Sequence, residues 1–406
     1  MINKKVNNYF LILFSILPIT IVSGPAVSLI NILLIDLSFL VLILFIKDYS
    51  FLKSKPLKYL LLIYVYLVFN SFISLDKEIG LLRNLGFLRL IILFAAFNYF
   101  FNEEKFLKIV LTVWSLILTV ILFDIFWESL NGQNIFGFGG DIYGRRIVSF
   151  FKDEPIVGGF VNSLYLIIIG FLFVYFKNKK NLILFFSLIF LIAIFVTGER
   201  SNTIRALLGI TFFYGLFKDY DFKKKFIFFS STLFLFLILL FNSEFLKLRY
   251  VNQIKSYLTT NQIYFNLYSS GYEVFKNYKL FGVGNKNYRI ETCNINQEEI
   301  KKKGYICNTH PHQIYFELLS EHGIVGFLLL ILLFYNLFFS KIFQTLKENN
   351  YIQIGCLIYL FLTFLPLLPS GAFFNDYMIT LFMINLSIFY SSSKKLNIFC
   401  KQNKKN

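Results

Sequence analysis

The chain has 406 residues, 57% of them apolar and 20% aromatic, with a mean hydropathy of +0.64. Charged residues make up 16%, against about 25% in an ordinary soluble domain, and several apolar runs exceed the ~18 residues that a bilayer span needs. This excludes a cytosolic enzyme, a disordered chain and a secreted disulfide scaffold, and predicts an all-α polytopic membrane protein.

Twelve hydrophobic segments read as transmembrane helices: 9–24, 27–46, 57–75, 86–101, 107–129, 156–176, 181–197, 203–217, 226–241, 323–340, 351–369 and 372–390. The first could be taken for a signal peptide, but it lacks a small-residue cleavage site and counts as a span. The seventh and eighth are separated only by Thr197-Gly198-Glu199-Arg200-Ser201-Asn202, which is either a tight hairpin or a broken, partly re-entrant element. The chain then divides into three parts. Residues 1–241 hold spans one to nine with an external loop at about 130–155. Residues 242–322 form one large, partly helical periplasmic loop. Residues 323–406 hold the last three spans and a basic tail.

Charge orients the bundle. With the N-terminus inside, the cytoplasmic segments carry 22 cations, all Lys. The other 18 lie outside, ten of them in the long loop, which the positive-inside rule largely ignores. Both termini are therefore cytoplasmic. The formal charge of +17 is mostly a topology signal, and no nucleic-acid-binding pattern accompanies it.

Arginine is distributed quite differently. Of 40 basic residues only eight are Arg, and all eight (Arg83, Arg89, Arg145, Arg146, Arg200, Arg205, Arg249, Arg289) fall on the external side. Lys suffices where a cation need only be positive. Arg is required where a planar fork must grip phosphate or carboxylate with two bonds. The asymmetry points to anion chemistry outside. Arg83, Arg89 and Arg249 fit better as residues that snorkel or pair with acids at helix ends. Among acids, Asp36, Asp124 and Glu128 fall within or near spans, where carboxylates are functional candidates by default.

The three His are all close together: His310, His312 and His322. Pro311 suits a first helical position, so His312 is expected to open a helix at the membrane surface. A helix N-terminus disfavours imidazolium and leaves a neutral base. Glu317 and Glu321, four apart on that helix, could orient a neighbour. His-x-His without a Cys/His quartet or HExxH is a poor zinc signature, so no metal and no cofactor are expected. Cys356 and Cys400 read as inert. Cys293 and Cys307 share the external loop, where an oxidising compartment would let them pair.

Together these residues resemble the O-antigen ligase and O-antigen polymerase family, bacterial inner-membrane glycosyltransferases of GT-C type. The stretch His310 to Gly326 is similar to the family's His-x-His-Asn, aromatic, Leu, Glu-x-Gly-x-x-Gly pattern, with Gln313 and Phe316 replacing the usual Asn and Leu. Lys279 to Arg289, Thr197 to Ser201 and Arg146 to Pro155 resemble three further family segments in order. The resemblance implies transfer of a glycan from an undecaprenyl-pyrophosphate-linked donor to a hydroxyl, on a lipid A-core for a ligase or on another lipid-linked repeat for a polymerase. It implies His312 as general base with His310 second. It also implies Arg200, Arg289 and Arg146, aided by Arg205, as the pyrophosphate clamp. Glu154 and Glu199 are then expected to hold guanidinium groups. A lipid-linked oligosaccharide flippase is the alternative from another class, but the spans show no two-fold repeat.

Overall fold

The computed structural model describes residues 4–140, 146–152, 154–216, 221–259, 262–294 and 296–399. Arg145 and Cys400 lie outside the described residues. Within them every regular element is helical. Ten helices come first: α1 (Lys4–Ser15), α2 (Leu17–Ser23), α3 (Pro25–Ile46), α4 (Lys55–Phe72), α5 (Lys77–Phe100), α6 (Glu104–Asn131), α7 (Val157–Tyr175), α8 (Lys180–Val196), α9 (Arg200–Leu216) and α10 (Phe222–Asn242). Short helices then fold the long loop: α11 (Glu244–Lys247), α12 (Gln253–Thr259), α13 (Ile263–Asn277), α14 (Tyr288–Cys293) and α15 (Gln297–Lys302). The chain closes with α16 (Ile314–Leu337), α17 (Ile342–Glu348), α18 (Tyr351–Thr363) and α19 (Asp376–Ser391).

Each of the twelve apolar segments is helical, but fewer qualify as spans. Among the described residues seven helices are long and apolar enough to cross a membrane. An eighth arises if α1 and α2, bent by 41°, count as one. Of the others, α9, α18 and α19 are only 17, 13 and 16 residues long. Their lengths are tolerable because they are packed among other helices, and nearly every α18 and α19 side chain is buried. Apolar side chains such as Phe45, Leu82, Leu116 and Phe222 instead point outward, the pattern expected of a lipid-facing surface.

Small residues allow α7 and α18 to cross closely. A Cβ on Gly170 of α7 would meet the Tyr351 backbone, and one on Gly355 of α18 would meet the Leu166 backbone. With lipid as solvent, such close approach supplies the dispersion contact that holds helices together.

Two boundaries differ from expectation. The apolar run 351–390 is broken by a turn at 364–375, because Pro366 and Pro369 cannot continue a helix. Asn375 then caps α19 by accepting from the amides of Tyr377 and Met378. The second difference is α16, which starts at Ile314 and breaks at Gly323 (φ 62°, ψ −170°). The segment 279–284 fills that break. Ile324 and Val325 donate to the carbonyls of Lys279 and Leu280, while Val283 and Gly284 donate to those of Ser320 and Glu321. Backbone groups freed by the kink are thereby satisfied, as a low-dielectric setting demands. Asn285 and Asn287 lock the same segment onto α4 and α5. The Asn285 amide N–H donates to Asn70 Oδ1 (2.8 Å), and Asn287 Oδ1 accepts from Asp76 N–H (2.6 Å).

Candidate functional site

The loops that end α6, α8, α10 and α18 meet at one end of the bundle around a cavity of about 370 Å³. Arg146, Arg200, Arg205, Arg249, Glu154, Glu199 and His312 all line it. Four guanidinium groups thus face two carboxylates, a formal excess of two positive charges.

The turn between α8 and α9 is a tight hairpin built around Gly198 (φ 73°). A Cβ there would strike the Phe245 ring and crowd Arg249. The Gly198 carbonyl accepts from Arg249 Nε (3.2 Å) and Nη2 (3.0 Å), and Arg249 Nη1 donates to Gln253 Oε1 (2.7 Å). Arg249 stands on a π-helical turn, Leu248–Asn252, a distortion often found at functional sites. Arg200 Nη1 donates to the Arg249 carbonyl (3.3 Å), and its guanidinium lies over the Tyr257 ring at 4.8 Å. Arg205 is buried on α9 and donates from Nη2 to the Pro369 carbonyl (3.1 Å). Arg146 Nη2 donates to the Pro155 carbonyl (2.7 Å), and its Nε has no partner among the described residues. Burial first, then Arg200 and Arg146, push the Arg249 guanidinium below its ordinary value. Fixed cations that repel one another around one cavity give it a positive potential.

The roles expected of the two acids need correction. Glu199 does not clamp a guanidinium. Its Oε1 accepts from Gly158 N–H (2.6 Å), and its Oε2 from Gly159 N–H (3.1 Å) and Asn202 Nδ2 (2.7 Å). It caps the amino end of α7, where free amides and the helix dipole favour a carboxylate. Burial raises its carboxyl above the usual range, opposed first by Arg146. The Glu154 carboxylate makes no hydrogen bond or ion pair among the described residues and faces the cavity.

His312 does not open a helix. It precedes the cap Gln313, whose Oε1 accepts from the amides of Tyr315 and Phe316, so Gln313 performs the capping that favours Asn. His312 adopts φ 56°, a left-handed conformation that His tolerates better than most residues. Its carbonyl accepts from Ser370 N–H (2.8 Å). The His310 ring lies 4.0 Å from that of His312, with Nδ1 against Thr309 Oγ1 (2.9 Å) and Nε2 against the Ser370 carbonyl (3.3 Å). Burial lowers His312 below the usual 6.5. Burial and the neighbouring His312 bring His310 to about 3. Both rings are therefore neutral near pH 7, His312 facing the cavity and His310 supporting it.

Glu317, fully buried on α16, accepts the Phe373 amide at both oxygens (2.9 and 3.1 Å) and so pins the turn that meets His310, His312 and Arg205. Glu321 Oε1 accepts weakly from Tyr288 N–H (3.4 Å). Burial pushes the Lys286 ammonium below its ordinary value, opposed by the nearby Glu321 and Glu317 carboxylates.

Arg289 stands apart, exposed on α14 and absent from the cavity lining. Arg249 takes a place there that its sequence surroundings did not suggest. Its only signal was the general one, an Arg where Lys is the rule. Arg83 and Arg89 both pair with Asp376 at 2.7 Å. His322 is buried between Tyr66 and Phe374, away from the cavity. Asp124 and Glu128 are buried acceptors for the 135–149 loop, taking Ile135 N–H, Ser149 Oγ–H and the amides of Val148 and Ser149. Asp36 is buried in α3 without a side-chain hydrogen bond among the described residues. Cys293 and Cys307 are joined as a disulfide, with Cα atoms 4.6 Å apart. Among the described residues no three His, Cys, Asp or Glu side chains converge in a way that could hold a metal ion.

Residues 184–331 match the O-antigen ligase family profile. No curated protein matches the chain. Together with several long apolar helices, the match suggests a multi-pass membrane protein that is similar over this segment to O-antigen ligases. The O-antigen ligase segment holds Glu199, Arg200, Arg205, Arg249 and His312. Arg146, Glu154 and the 364–375 turn reach the same cavity from outside it.

Proposed function

We propose that the cavity binds the pyrophosphate of an undecaprenyl-linked glycan and that the protein transfers this glycan to an acceptor hydroxyl. The transfer is O-antigen ligase-like, needs no metal and takes place on the periplasmic face of the inner membrane, with both termini cytoplasmic. The observation carrying this reading is the convergence of Arg146, Arg200, Arg205, Arg249 and His312 on one cavity. Neutral His312 takes the proton of the acceptor hydroxyl as its oxygen attacks the anomeric carbon. The bond from that carbon to the phosphate oxygen breaks, and the electron pair leaves with the lipid pyrophosphate. Single displacement inverts the anomeric centre. Negative charge grows on the leaving group, and guanidinium groups already in place stabilise it without reorganising. Proton removal by a positioned base contributes typically 10²–10⁴-fold.

The disulfide supports the periplasmic assignment, since such bonds persist in oxidising compartments. The test is transfer in proteoliposomes from an undecaprenyl-pyrophosphate-linked oligosaccharide to a lipid A-core acceptor. Deleting the gene and examining the host lipopolysaccharide separates the two acceptors. Loss of all attached polymer is expected for a ligase, whereas core bearing one repeat unit would make the protein a polymerase.

A further inference from the structure

A second cavity, of about 300 Å³, adjoins the arginine-lined one. It lies between the α2–α3 corner, the 151–156 segment and the first turns of α19. Glu154, Ile156 and Tyr377 line both cavities, so these side chains form the partition. The volume is at the small end of ligand pockets, which run from about 300 to 1,000 Å³.

The chemistry of its wall is specific. Glu154 is exposed and unpaired among the described residues, and so is the neighbouring Lys152. The Tyr377 hydroxyl donates to the Ile156 carbonyl (3.1 Å), which fixes its ring, and Phe151 meets that ring edge-on at 6.0 Å. Thr380 adds a hydroxyl without a hydrogen-bond partner among the described residues. Asp376 is already neutralised by Arg83 and Arg89. A phosphate group would be repelled by Glu154. An acyl chain would strip water from Glu154 and Lys152 without replacing its hydrogen bonds, a costly exchange. Ile21, Val22 and Pro25 make the wall at the α2–α3 corner apolar. A sugar ring suits this mixed lining: its hydroxyls donate to the carboxylate and accept from the ammonium, while its C–H faces pack on the aromatic ring and the apolar wall.

We propose that this second cavity is a saccharide subsite that seats a sugar ring beside the pyrophosphate. The proposal rests on the reading of the first cavity as the lipid-pyrophosphate site. The ring belongs either to the donor glycan or to the acceptor, and the two are separable by experiment.

The full chain in nanodiscs is compared with Thr380→Trp, which fills the cavity, and Glu154→Gln, which removes the charge with little change of shape. Sugar-free undecaprenyl pyrophosphate should bind the Trp variant as it binds the unaltered protein and should bind the Gln variant no more weakly. If the ring is the donor's, both variants bind the undecaprenyl-pyrophosphate-linked oligosaccharide about tenfold more weakly. If it is the acceptor's, that affinity holds and the acceptor KM rises about tenfold. Glu154→Gln keeps the test valid should the Trp variant fail to fold. Unchanged donor affinity and unchanged acceptor KM would overturn the subsite, as would an equal loss of sugar-free lipid binding. Failure of the unaltered protein to bind undecaprenyl pyrophosphate would instead refute the reading of the first cavity, and this proposal with it.

Discussion

Arg249 offers the sharpest test of the anion site. Its guanidinium donates three hydrogen bonds, two to the Gly198 carbonyl and one to Gln253, while lining the cavity with three other Arg. Replacement by Ala removes a cation from the field acting on the leaving pyrophosphate. Loss of one such prepositioned group typically costs 10²–10³ in kcat, about 2.7–4 kcal/mol. The change also frees the Gly198 carbonyl, and a hydrogen bond from a charged donor is worth about 1.5–3 kcal/mol, so the hairpin that carries Glu199 and Arg200 should loosen. Arg249→Lys restores the charge but cannot reach Gly198 with two N–H groups and Gln253 with a third. The expected order of transfer rates is wild type, then Lys, then Ala, with Ala down at least about a hundredfold. Steady-state transfer from undecaprenyl-pyrophosphate-linked oligosaccharide gives the rates, and thermal unfolding in detergent gives the stability loss separately. Wild-type kcat/KM in the Ala variant would refute the clamp, because no cation lining the cavity should be dispensable for a leaving pyrophosphate that gains a negative charge as the bond breaks.

The other expectations are briefer. His312→Ala should lower transfer by about 10²–10⁴-fold while leaving the affinity for undecaprenyl pyrophosphate nearly intact, and His310→Ala should be milder; equal effects would place both rings on the reacting atoms. Because burial holds His312 below 6.5 in the fold, the neutral base persists below pH 6.5 and the rate should fall only as pH drops through that lowered value. The unfolded chain then binds more protons, so stability contributed by the buried neutral ring is full above 6.5 and is lost as pH falls below it; a rate limb centred above 6.5 would contradict the assignment. Arg289→Ala should transfer glycan within about threefold of wild type, since an exposed side chain away from the cavity loses little; a hundredfold loss would show that the loop brings it inward with substrate bound. Glu317→Ala should unpin the 370–374 turn, at about 1–3 kcal/mol for the stranded Phe373 amide, and lower kcat more than it raises KM. Cys293→Ser should reduce thermal stability by about 3 kcal/mol on the chain-entropy view, and peptide mapping of unreduced protein should recover the bridged pair.

Composition and pattern decided the class of this molecule. Runs of Phe, Leu and Ile longer than a bilayer is thick permit only helices that satisfy their own backbone. The all-Lys cytoplasmic set against the eight external Arg drew attention to one face before any fold was known. Local chemistry narrowed 197–202 to a tight hairpin or a broken element, and the fold made it the hairpin; it carried the span at 351 through to 369, whereas Pro366 and Pro369 follow a helix that already ends at Thr363. What sequence could not supply was long-range placement. Glu199 looked like a partner for Arg200, its neighbour in the chain, yet it caps a helix whose amide at Gly158 lies 41 residues earlier, because α7 and α9 pack side by side. Sequence alone put Arg289 in the clamp and left Arg249 among helix-end cations, the reverse of their placement in the fold. Only the folding of 243–313 turned one toward the cavity and left the other in solvent. The Gly323 break has the same origin. A glycine in an apolar run suggests at most a weak spot, and the kink exists because 279–284 supplies the hydrogen bonds that the interrupted helix loses. Each of these contacts joins residues far apart in the chain, and their positions follow from helix packing, which local propensity does not encode.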